Sequence, residues 1–207
     1  MIKAEILLYD KLPPLLSCPD NDYIKTHISK IKNPDYKSGS LLAYMLFSHM
    51  ISDFFNIDIS DITIAENEFG KPLITSHANL HFNVSHTSKA VCSVISDFRV
   101  GIDIEQTGKI RASLANKCFT ENELRELNSP TDFYRLWTLK EAYLKMLGSG
   151  INRSLKEIEF SHSDPVTCRD CGTTVPFKFY AGTVDDICLA IASQEVFSSS
   201  DLIIKHI

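Results

Sequence analysis

The order of secondary-structure patterns repeats once along the chain, and this repeat constrains the fold more strongly than any single motif. In the first half, apolar residues at helical spacing over 38–56 precede three strand-like segments, which read ITIAENE, HFNVSH and AVCSVIS. In the second half, a helical pattern over 132–147 precedes EIEF, FKFYAG and ICLAIAS. The repeat predicts an α/β (α+β) chain of two similar halves, residues 1–105 and 106–207. A ligand site is expected at their interface, because pockets favour such junctions.

Residues with strong capping preferences predict where the helices begin and end. Ser38 or Ser40 is expected to cap the first helix and Asp132 the second, because their side-chain oxygens accept hydrogen bonds from free backbone N–H groups. Gly148 is expected to end the second helix, since glycine adopts the left-handed conformation without steric cost. Between these helices, Thr120 and Glu123 have the spacing of a capping box.

The composition is that of a globular protein and argues against several functional classes. Of the 207 residues, 44% are hydrophobic and 23% are charged, which is enough apolar sequence for a substantial core. The net charge of −5 argues against binding to duplex nucleic acid, which normally requires a basic face. The sequence has no apolar run of about 18 residues and no signal-peptide pattern at its N-terminus. We therefore expect a cytoplasmic protein that does not associate with a membrane.

The six cysteines are interpreted as thiols rather than as a disulfide framework. Cys92 and Cys188 lie within apolar strand-like segments, where cysteine behaves as a small core residue of a reducing compartment. Cys168 and Cys171 form a CxxC pair, but a structural zinc ion needs four ligands and the sequence has no second pair of this kind. We therefore expect no zinc site.

Two carboxylates alternate with apolar residues in the strand-like segment VGIDIE. Asp103 and Glu105 are separated by one residue, so their side chains point to the same face of a strand. Two buried carboxylates side by side repel each other and need a positive partner. Mg²⁺ suits this place, because it takes oxygen ligands and often bridges carboxylates to phosphates. An exposed strand end with two solvated acids explains the pattern equally well, and these two residues alone leave both interpretations open.

The helical segment WTLKEAYLK adds a third acid and two lysines. Glu141 and Lys145 are four residues apart and share a face of the helix, and Lys140 lies beside Glu141. A surface ion pair of this kind contributes roughly a few tenths of a kcal/mol and needs no functional explanation. The alternative interpretation is that Glu141 is a further metal ligand and that Lys145 binds phosphate.

Hydroxyl, imidazole and ammonium groups in the first half are also suited to bind phosphate. Ser85 and His86 close a strand and can both donate to a phosphate oxygen, although a turn that satisfies its own backbone explains them as well. They do not form a nucleophile and base pair, because adjacent strand residues point to opposite faces. Lys32 belongs to a lysine-rich stretch and Lys71 stands alone beside a turn, and both suit either a phosphate ligand or solvent.

Taken in order, the segments FGKPLI, HFNVSH, VGIDIE and WTLKEAYLK resemble the motifs of the 4′-phosphopantetheinyl transferases, of the longer class typified by activation of surfactin synthetase. The resemblance extends over about residues 32–190, and VGIDIE and WTLKEAYLK are its specific signatures. It implies transfer of 4′-phosphopantetheine from coenzyme A to a serine of an apo acyl or peptidyl carrier protein, with release of adenosine 3′,5′-bisphosphate. It also implies a monomer of two pseudo-twofold-related α/β halves.

The resemblance implies a role for each acid and for two of the lysines. Glu123 matches a further acid near the metal, and we expect it to take the proton of the carrier serine. Lys145 matches a lysine that contacts the pyrophosphate, with Lys140 nearby. The acids that match the ligands of Mg²⁺, or of Mn²⁺ in its place, are Asp103, Glu105 and Glu141.

The resemblance also implies the contacts to coenzyme A in the first half. Ser85 and His86 match a pair at the phosphates of coenzyme A. Lys71 matches a lysine beside the adenine and its ribose. Ser40 corresponds to a small hydroxyl residue near the 3′-phosphate, with Lys32 as its basic partner.

Two other functional classes stay open at the level of the sequence. One is a module that binds coenzyme A or a carrier protein without turnover, and the other is a metal-dependent phosphate-ester hydrolase. The presence of all the matching acids and of Lys145 favours turnover. Because this protein is acidic and we expect an acidic carrier, hydrophobic docking is expected to dominate over electrostatic steering. The candidates are exposed apolar residues within 107–120, such as Leu114 and Phe119.

Overall fold

The computed structural model describes residues 1–10, 17–110, 112–150 and 152–207. Its helices are α1 (Asp22–Lys30), α2 (Pro34–Phe55), α3 (Ala112–Cys118), α4 (Glu121–Arg125) and α5 (Pro130–Leu147). Its strands are β1 (Ile2–Leu8), β2 (Ile64–Glu66), β3 (Pro72–Ile74), β4 (His81–His86), β5 (Ala90–Ser96), β6 (Val100–Gln106), β7 (Ile158–Phe160), β8 (Cys168–Asp170), β9 (Thr173–Thr174), β10 (Lys178–Val184), β11 (Ile187–Ser193) and β12 (Leu202–His206).

Two larger sheets carry the fold. In the first, the strand order is β12-β1-β5-β4, with β12 parallel to β1 and the other neighbours antiparallel. In the second, the order is β10-β11-β6 and all neighbours are antiparallel. The succession β1-α2-β4-β5 matches the succession β6-α5-β10-β11, and a small sheet, β2-β3 or β7-β8-β9, follows the helix in each case. This order confirms the predicted α/β architecture of two similar halves.

Strand β6, which carries VGIDIE, belongs to the second sheet because it pairs with β11. The predicted boundary after residue 105 assigns this strand to the first half, since a periodic pattern does not specify which distant strand a segment pairs with. Strand β12, which lies in the second half of the sequence, belongs to the first sheet because it pairs with β1. The boundary itself stays a prediction, and the strand pairing favours a position between β5 and β6.

The layers pack through apolar clusters in the order helix, sheet, sheet, helix. Helix α2 covers the outer face of the first sheet, α5 covers the outer face of the second, and the inner faces of the two sheets contact each other. Strand β11 is buried along its whole length, since alternate residues contact different layers. Its residues Ile187, Leu189 and Ile191 face the first sheet, and the residues that face α5 are Cys188, Ala190 and Ala192.

The helix ends follow the capping rules, but at other residues than the sequence predicts. Helix α2 is capped by Asn33, whose side chain accepts from Tyr36 N, and α5 is capped by Ser129. A proline at the first helical position follows each cap and fixes the entry of the chain. The predicted caps at Ser38, Ser40 and Asp132 are therefore wrong, because each lies inside a helix. The end of α5 at Gly148, which has φ +72°, and the capping box of Thr120 with Glu123 are confirmed.

Gly101 lets strand β6 lie directly against the backbone of helix α5. A Cβ atom at this position would lie 2.1 Å from Ala142 O and 2.4 Å from Met146 N. Only a residue without a side chain permits this approach, which brings the acids of β6 close to those of α5. The glycine of VGIDIE is therefore part of what assembles the site.

Gly101→Ala is expected to lower the free energy of unfolding by about 1–3 kcal/mol, because the added methyl group meets backbone atoms that cannot rotate away. Urea unfolding followed by circular dichroism measures this loss. Gly108→Ala is the matched control, since a Cβ atom there has the Tyr134 hydroxyl at 3.4 Å as its nearest contact. Equal unfolding midpoints for the two variants would contradict the close approach of β6 and α5.

All six cysteines are described, and none forms a disulfide. Cys92 and Cys188 are buried in the core, as predicted. Within the described ranges, no helix is both long and apolar enough to cross a membrane.

Candidate active site

The two sheets meet at the edge strands β4 and β6, and side chains of β4 bridge them. The Asn83 side chain accepts a hydrogen bond from Ile102 N at 2.9 Å, and the Ser85 hydroxyl lies 3.5 Å from Ile104 N. Asn83 and Ser85 are two residues apart on one strand and therefore share a face. The first and second halves are thus joined at the place where the sequence predicts a site.

A cavity of about 370 Å³ lies at this junction and brings together residues that are distant in the sequence. Its walls come from α1, α2, the turn between β2 and β3, β4 and α5. The predicted site residues that line it are Ser40, Lys71, Ser85, His86, Glu141 and Lys145. The junction of the two halves therefore holds most of the groups expected to contact coenzyme A.

Asp103 forms a network with two residues of the cavity lining, Lys145 and Ser85. Lys145 Nζ donates to Asp103 Oδ1 at 2.6 Å and to Ser85 Oγ at 3.1 Å, and Ser85 Oγ donates to Asp103 Oδ1 at 2.9 Å. The Asp103 side chain is 7% exposed and that of Lys145 is 29% exposed. Although burial alone would lower the pKa of Lys145, the Asp103 carboxylate raises it above its usual value. Lys145 therefore carries a positive charge.

Two carboxylate oxygens of the site lack a hydrogen-bond partner. Asp103 Oδ2 and Glu141 Oε1 are buried and accept no hydrogen bond from the described residues. The pKa of Glu141 is raised to about 7, mainly by burial and also by the neighbouring Asp103, while Lys145 opposes the rise. A buried acceptor without a partner is costly, so these oxygens are suited to bind a cation.

Glu105 lines a second cavity rather than the first. Trp137 Nε1 donates to Glu105 Oε1 at 3.2 Å, and the charge of Glu105 also raises the pKa of Glu141. The second cavity has a volume of about 320 Å³, and its lining is Thr87, Ser88, Glu105, Gln106, Leu114, Phe133, Tyr134 and Trp137. Of the three acids predicted as metal ligands, Glu141 thus lines the first cavity, Glu105 lines the second, and Asp103 contacts the lining residues Ser85 and Lys145.

These acids are not arranged as a ready metal site. Among the described residues, no group of three or more His, Cys, Asp or Glu side chains is placed to hold a metal ion. Asp103 contacts Lys145, and Glu105 accepts from Trp137. The prediction of metal ligands at Asp103, Glu105 and Glu141 rests on ligand chemistry and on the two oxygens without partners.

Glu123 and Lys140 lie in the core of the second half rather than in the cavity. Both are fully buried, and Lys140 Nζ donates to Glu123 Oε2 at 2.7 Å. The ammonium also donates to the carbonyl oxygens of Cys118, Leu155 and Ile158. Glu123 Oε1 accepts from Phe160 N, and Oε2 accepts from Thr120 N.

This placement contradicts the predicted contact of Lys140 with coenzyme A, because every donor position of its ammonium is directed at protein atoms. It equally leaves Glu123 no route to a carrier serine. Lys140 and Glu141 are neighbours in α5 but face different sides of the helix, and only Glu141 faces the cavity. The sequence signal that favoured the structural role was the capping box.

Lys71 and Lys32 occupy different surroundings. Lys71 Nζ donates to Met146 O at 3.1 Å near the end of α5, and burial, followed by the charge of Arg99, lowers its pKa to about 8. Lys71 lines the cavity, whereas Lys32 is exposed just before α2 and is not part of the lining. Lys32 would reach a ligand only by extending its side chain.

Other residues of the two cavities were not predicted from the sequence. Tyr36 and Tyr44 of α2 and Asn83 of β4 line the first cavity, and Trp137 lines the second. Asn83 could have been found from its two-residue spacing to Ser85. The aromatic residues could not, because aromatic residues at helical spacing are typical of any core.

The predicted docking residues have unequal exposure. Phe119 is 0% exposed, so its predicted role in docking is wrong, since it packs against Phe133 inside the second half. Leu114 is partly exposed and lines the second cavity beside Trp137. It remains a candidate for contact with a partner.

A larger cavity of about 850 Å³ lies between α4 and the small sheet β7-β8-β9. Of the predicted site residues it contains only Glu123, whose carboxylate is fully engaged. Size alone therefore does not identify the functional site in this fold.

Two family models match the chain. One is described as the 4′-phosphopantetheinyl transferase superfamily and matches residues 99–192, and the other is described as 4′-phosphopantetheinyl transferase, N-terminal, and matches residues 17–97. Every residue of the predicted site lies within these two ranges. The two models also meet between β5 and β6, at the division that the strand pairing favours.

The chain is similar to several curated relatives. It is 31% identical over 159 residues to the 4′-phosphopantetheinyl transferase gsp of Aneurinibacillus migulanus. The aligned region covers 70% of this chain and 66% of that protein. It is 35% identical over 122 residues to the 4′-phosphopantetheinyl transferase Sfp of Bacillus subtilis (strain 168). This aligned region covers 56% of this chain and 54% of that protein. These matches thus span between about half and two thirds of the relatives' length.

Among solved structures, the chain is similar to holo-[acyl-carrier-protein] synthase of Thermotoga maritima. The sequence identity is 24% and the TM-score is 0.40, over 46% of this chain and 62% of that one.

Proposed function

Because this chain belongs to the 4′-phosphopantetheinyl transferase superfamily, we propose that it transfers 4′-phosphopantetheine from coenzyme A to a serine of an apo acyl or peptidyl carrier protein. The observation that supports this most is the cavity at the junction of the halves. Its lining provides hydroxyl, imidazole and ammonium groups for phosphate and a carboxylate for a cation, from both halves. The second product is adenosine 3′,5′-bisphosphate.

Coenzyme A is proposed to bind along the first cavity. Its pyrophosphate lies near Ser85 and Lys145, whose donors are beside the acids, and its adenosine lies toward Lys71. His86 and Ser40 contact the phosphates from the side of α2. Ser40 is only 5% exposed, so its hydroxyl suits a direct contact within the cavity.

Mg²⁺, or Mn²⁺ in its place, is proposed to bind at the acids of β6 and α5. Asp103 Oδ2 and Glu141 Oε1 fit this ion, because they are buried carboxylate oxygens without a partner, and Glu105 lies close enough to influence the pKa of Glu141. When bound, the ion would supply positive charge against the pyrophosphate.

The chemical step exchanges one phosphorus–oxygen bond for another. The serine oxygen of the carrier forms a bond to the phosphorus that bears the pantetheine arm, and the bond from that phosphorus to the bridging oxygen breaks. The electron pair leaves with adenosine 3′,5′-bisphosphate. Lys145 stabilises the developing negative charge, because its ammonium is held at the cavity wall by Asp103.

The proton of the carrier serine is proposed to pass to Glu105. This carboxylate lines the second cavity, where Trp137 fixes its orientation, and it adjoins the acids of the first cavity. A carrier that docks over Leu114 and Trp137 would present its serine from this side, opposite coenzyme A. Glu123 is not a candidate, since its carboxylate is buried with Lys140.

We propose that the protein acts as a cytoplasmic monomer, without nucleic acid or membrane partners. Both sheets and both long helices around the first cavity belong to one chain, so the proposed site needs no second copy. Free thiols at all six cysteines are compatible with a reducing compartment.

The transfer reaction is tested by incubating the protein with coenzyme A, Mg²⁺ and a panel of apo carrier proteins from fatty-acid, polyketide and nonribosomal-peptide systems. Intact mass spectrometry is expected to show one phosphopantetheine added to a serine of at least one carrier. If every carrier keeps its apo mass while coenzyme A binds, the protein is a binding module.

Removal of divalent metal is expected to reduce the transfer rate to background. The reason is that Asp103, Glu105 and Glu141 would otherwise oppose the pyrophosphate with negative charge. The assay is repeated in EDTA, and excess Mg²⁺ or Mn²⁺ is added back, which is expected to restore the rate. Undiminished transfer in EDTA would show that these acids do not act through a metal ion.

A further inference from the structure

The imidazole of His86 is held between two residues of α2 that no predicted role includes. A Cβ atom at Gly39 would lie 2.7 Å from His86 Nδ1 and 3.2 Å from its Cγ. The imidazole therefore rests directly on the helix backbone, in space that any other residue would fill. The ring of Tyr36 lies 4.5 Å from the His86 ring, centroid to centroid, at an interplanar angle of 67°.

Both contacts come from the first turns of α2, because Tyr36 and Gly39 are three residues apart and share a face of the helix. Glycine inside a helix is unfavourable for helix formation, so its presence at a buried position of α2 needs a packing reason. The contact with His86 supplies that reason.

His86 is available to a ligand in this position. It lines the first cavity, and the described residues give its ring nitrogens no hydrogen-bond partner. Nδ1 is the ring atom nearest to Gly39, so Nε2 is the nitrogen that lies farther from α2. The imidazole is thus fixed by packing rather than by hydrogen bonds within the protein.

We propose that Gly39 and Tyr36 are positioning residues that aim the His86 imidazole at a phosphate group of a bound nucleotide. Gly39 provides the space for the ring, and Tyr36 limits its rotation. The identity of the nucleotide as coenzyme A rests on the proposed function, but the positioning of His86 does not.

The test is the affinity for adenosine 3′,5′-bisphosphate, measured by calorimetry on the full chain. Gly39→Ala is expected to weaken binding by about tenfold or more, as expected for loss of one hydrogen bond to a charged group. The fold is expected to be kept, because the helix preference of alanine offsets part of the cost of displacing the imidazole. Tyr36→Ala is expected to weaken binding about threefold, since the ring that contacts His86 is lost.

Two comparisons separate positioning from a general disturbance of α2. Ser38→Ala, in the same helix and outside the cavity lining, is the control and is expected to bind like the wild type. In the His86→Ala background, which leaves room for a methyl group, Gly39→Ala is expected to have no further effect on affinity. Imidazole NMR signals of His86 are expected to shift in Gly39→Ala without ligand.

Equal affinity of wild type and Gly39→Ala, or additive losses in the double variant, would overturn the inference. Failure of the wild type to bind the bisphosphate would overturn it as well. Failure of carrier modification with these binding results intact would instead overturn the proposed transfer reaction and leave the positioning of His86 supported.

Discussion

Lys145→Met is expected to lower the rate of phosphopantetheine transfer by about a hundredfold to a thousandfold, the effect of removing one charged donor from a developing anion. Its ammonium lies 2.6 Å from Asp103 and 3.1 Å from the Ser85 hydroxyl, inside the proposed pyrophosphate site. Methionine keeps the length and apolar stem of the side chain and removes the charge. The rate is measured under single-turnover conditions, with the enzyme–coenzyme A complex in saturating excess over the carrier, so that binding and chemistry are separated.

Lys156→Met is the matched control, because this lysine is exposed and lies outside both cavities. It is expected to transfer at the wild-type rate. Lys145→Met also leaves Asp103 without its ion partner, so its unfolding must be measured beside its activity. A stable Lys145→Met protein with a single-turnover rate within a few-fold of the wild type would exclude Lys145 from the chemical step.

Glu123→Gln is expected to destabilise the protein by about 3–5 kcal/mol, the usual cost of removing one partner from a buried ion pair. Glutamine preserves the shape of the capping box, but it leaves the buried ammonium of Lys140 without a counter-charge. Lys140→Met is expected to cost a similar amount. Replacing both residues together, as Glu123→Leu with Lys140→Met, is expected to recover part of the loss, because no charge then remains buried.

Transfer by the folded fraction of Glu123→Gln is expected to stay within a few-fold of the wild type, since its carboxylate contacts only protein groups. Urea unfolding gives the stability, and turnover is measured at a temperature where the variant is folded. Glu121→Gln, in the same short helix and with an exposed side chain, is the control. A fully stable Glu123→Gln protein with turnover reduced a hundredfold would return Glu123 to the role of general base.

The sequence was sufficient to predict much of the site, because strand and helix periodicity specify which side chains share a face. Asp103 and Glu105 are on one face of β6, while Glu141 and Lys145 are on one face of α5, as their spacing requires. The motif resemblance added that these faces meet. Gly101 shows the physical means, since it allows β6 to approach the backbone of α5.

The roles of Lys140 and Glu123 could not be predicted reliably from motif membership. Both belong to segments that carry site residues, but the direction of a side chain around a helix depends on tertiary packing. Lys140 faces the core, where three carbonyl groups from two segments that are distant in the sequence converge on its ammonium. Those carbonyl groups lie at the end of α3 and where a short 3-10 turn enters β7, and elements this short leave no periodic pattern in the sequence.

The residue at which α2 begins and the sheet to which β6 belongs also could not be predicted from local sequence patterns. Ser38 and Ser40 have good capping preferences, but Asn33 followed by Pro34 begins α2 earlier and leaves both serines inside it. The assignment of β6 to the second sheet depends on its pairing with β11, far away in the sequence. Long-range pairing of this kind decides between alternatives that local propensity leaves equal.

The junction cavity is proposed to transfer phosphopantetheine to a carrier rather than to hold or hydrolyse coenzyme A. The most direct measurement is the amount of adenosine 3′,5′-bisphosphate released, with and without an apo carrier, beside the amount of carrier modified. Transfer is expected to release one bisphosphate for each phosphopantetheine found on the carrier serine, and none when the carrier is left out. Bisphosphate and free phosphopantetheine released in equal amounts when no carrier is present would contradict it.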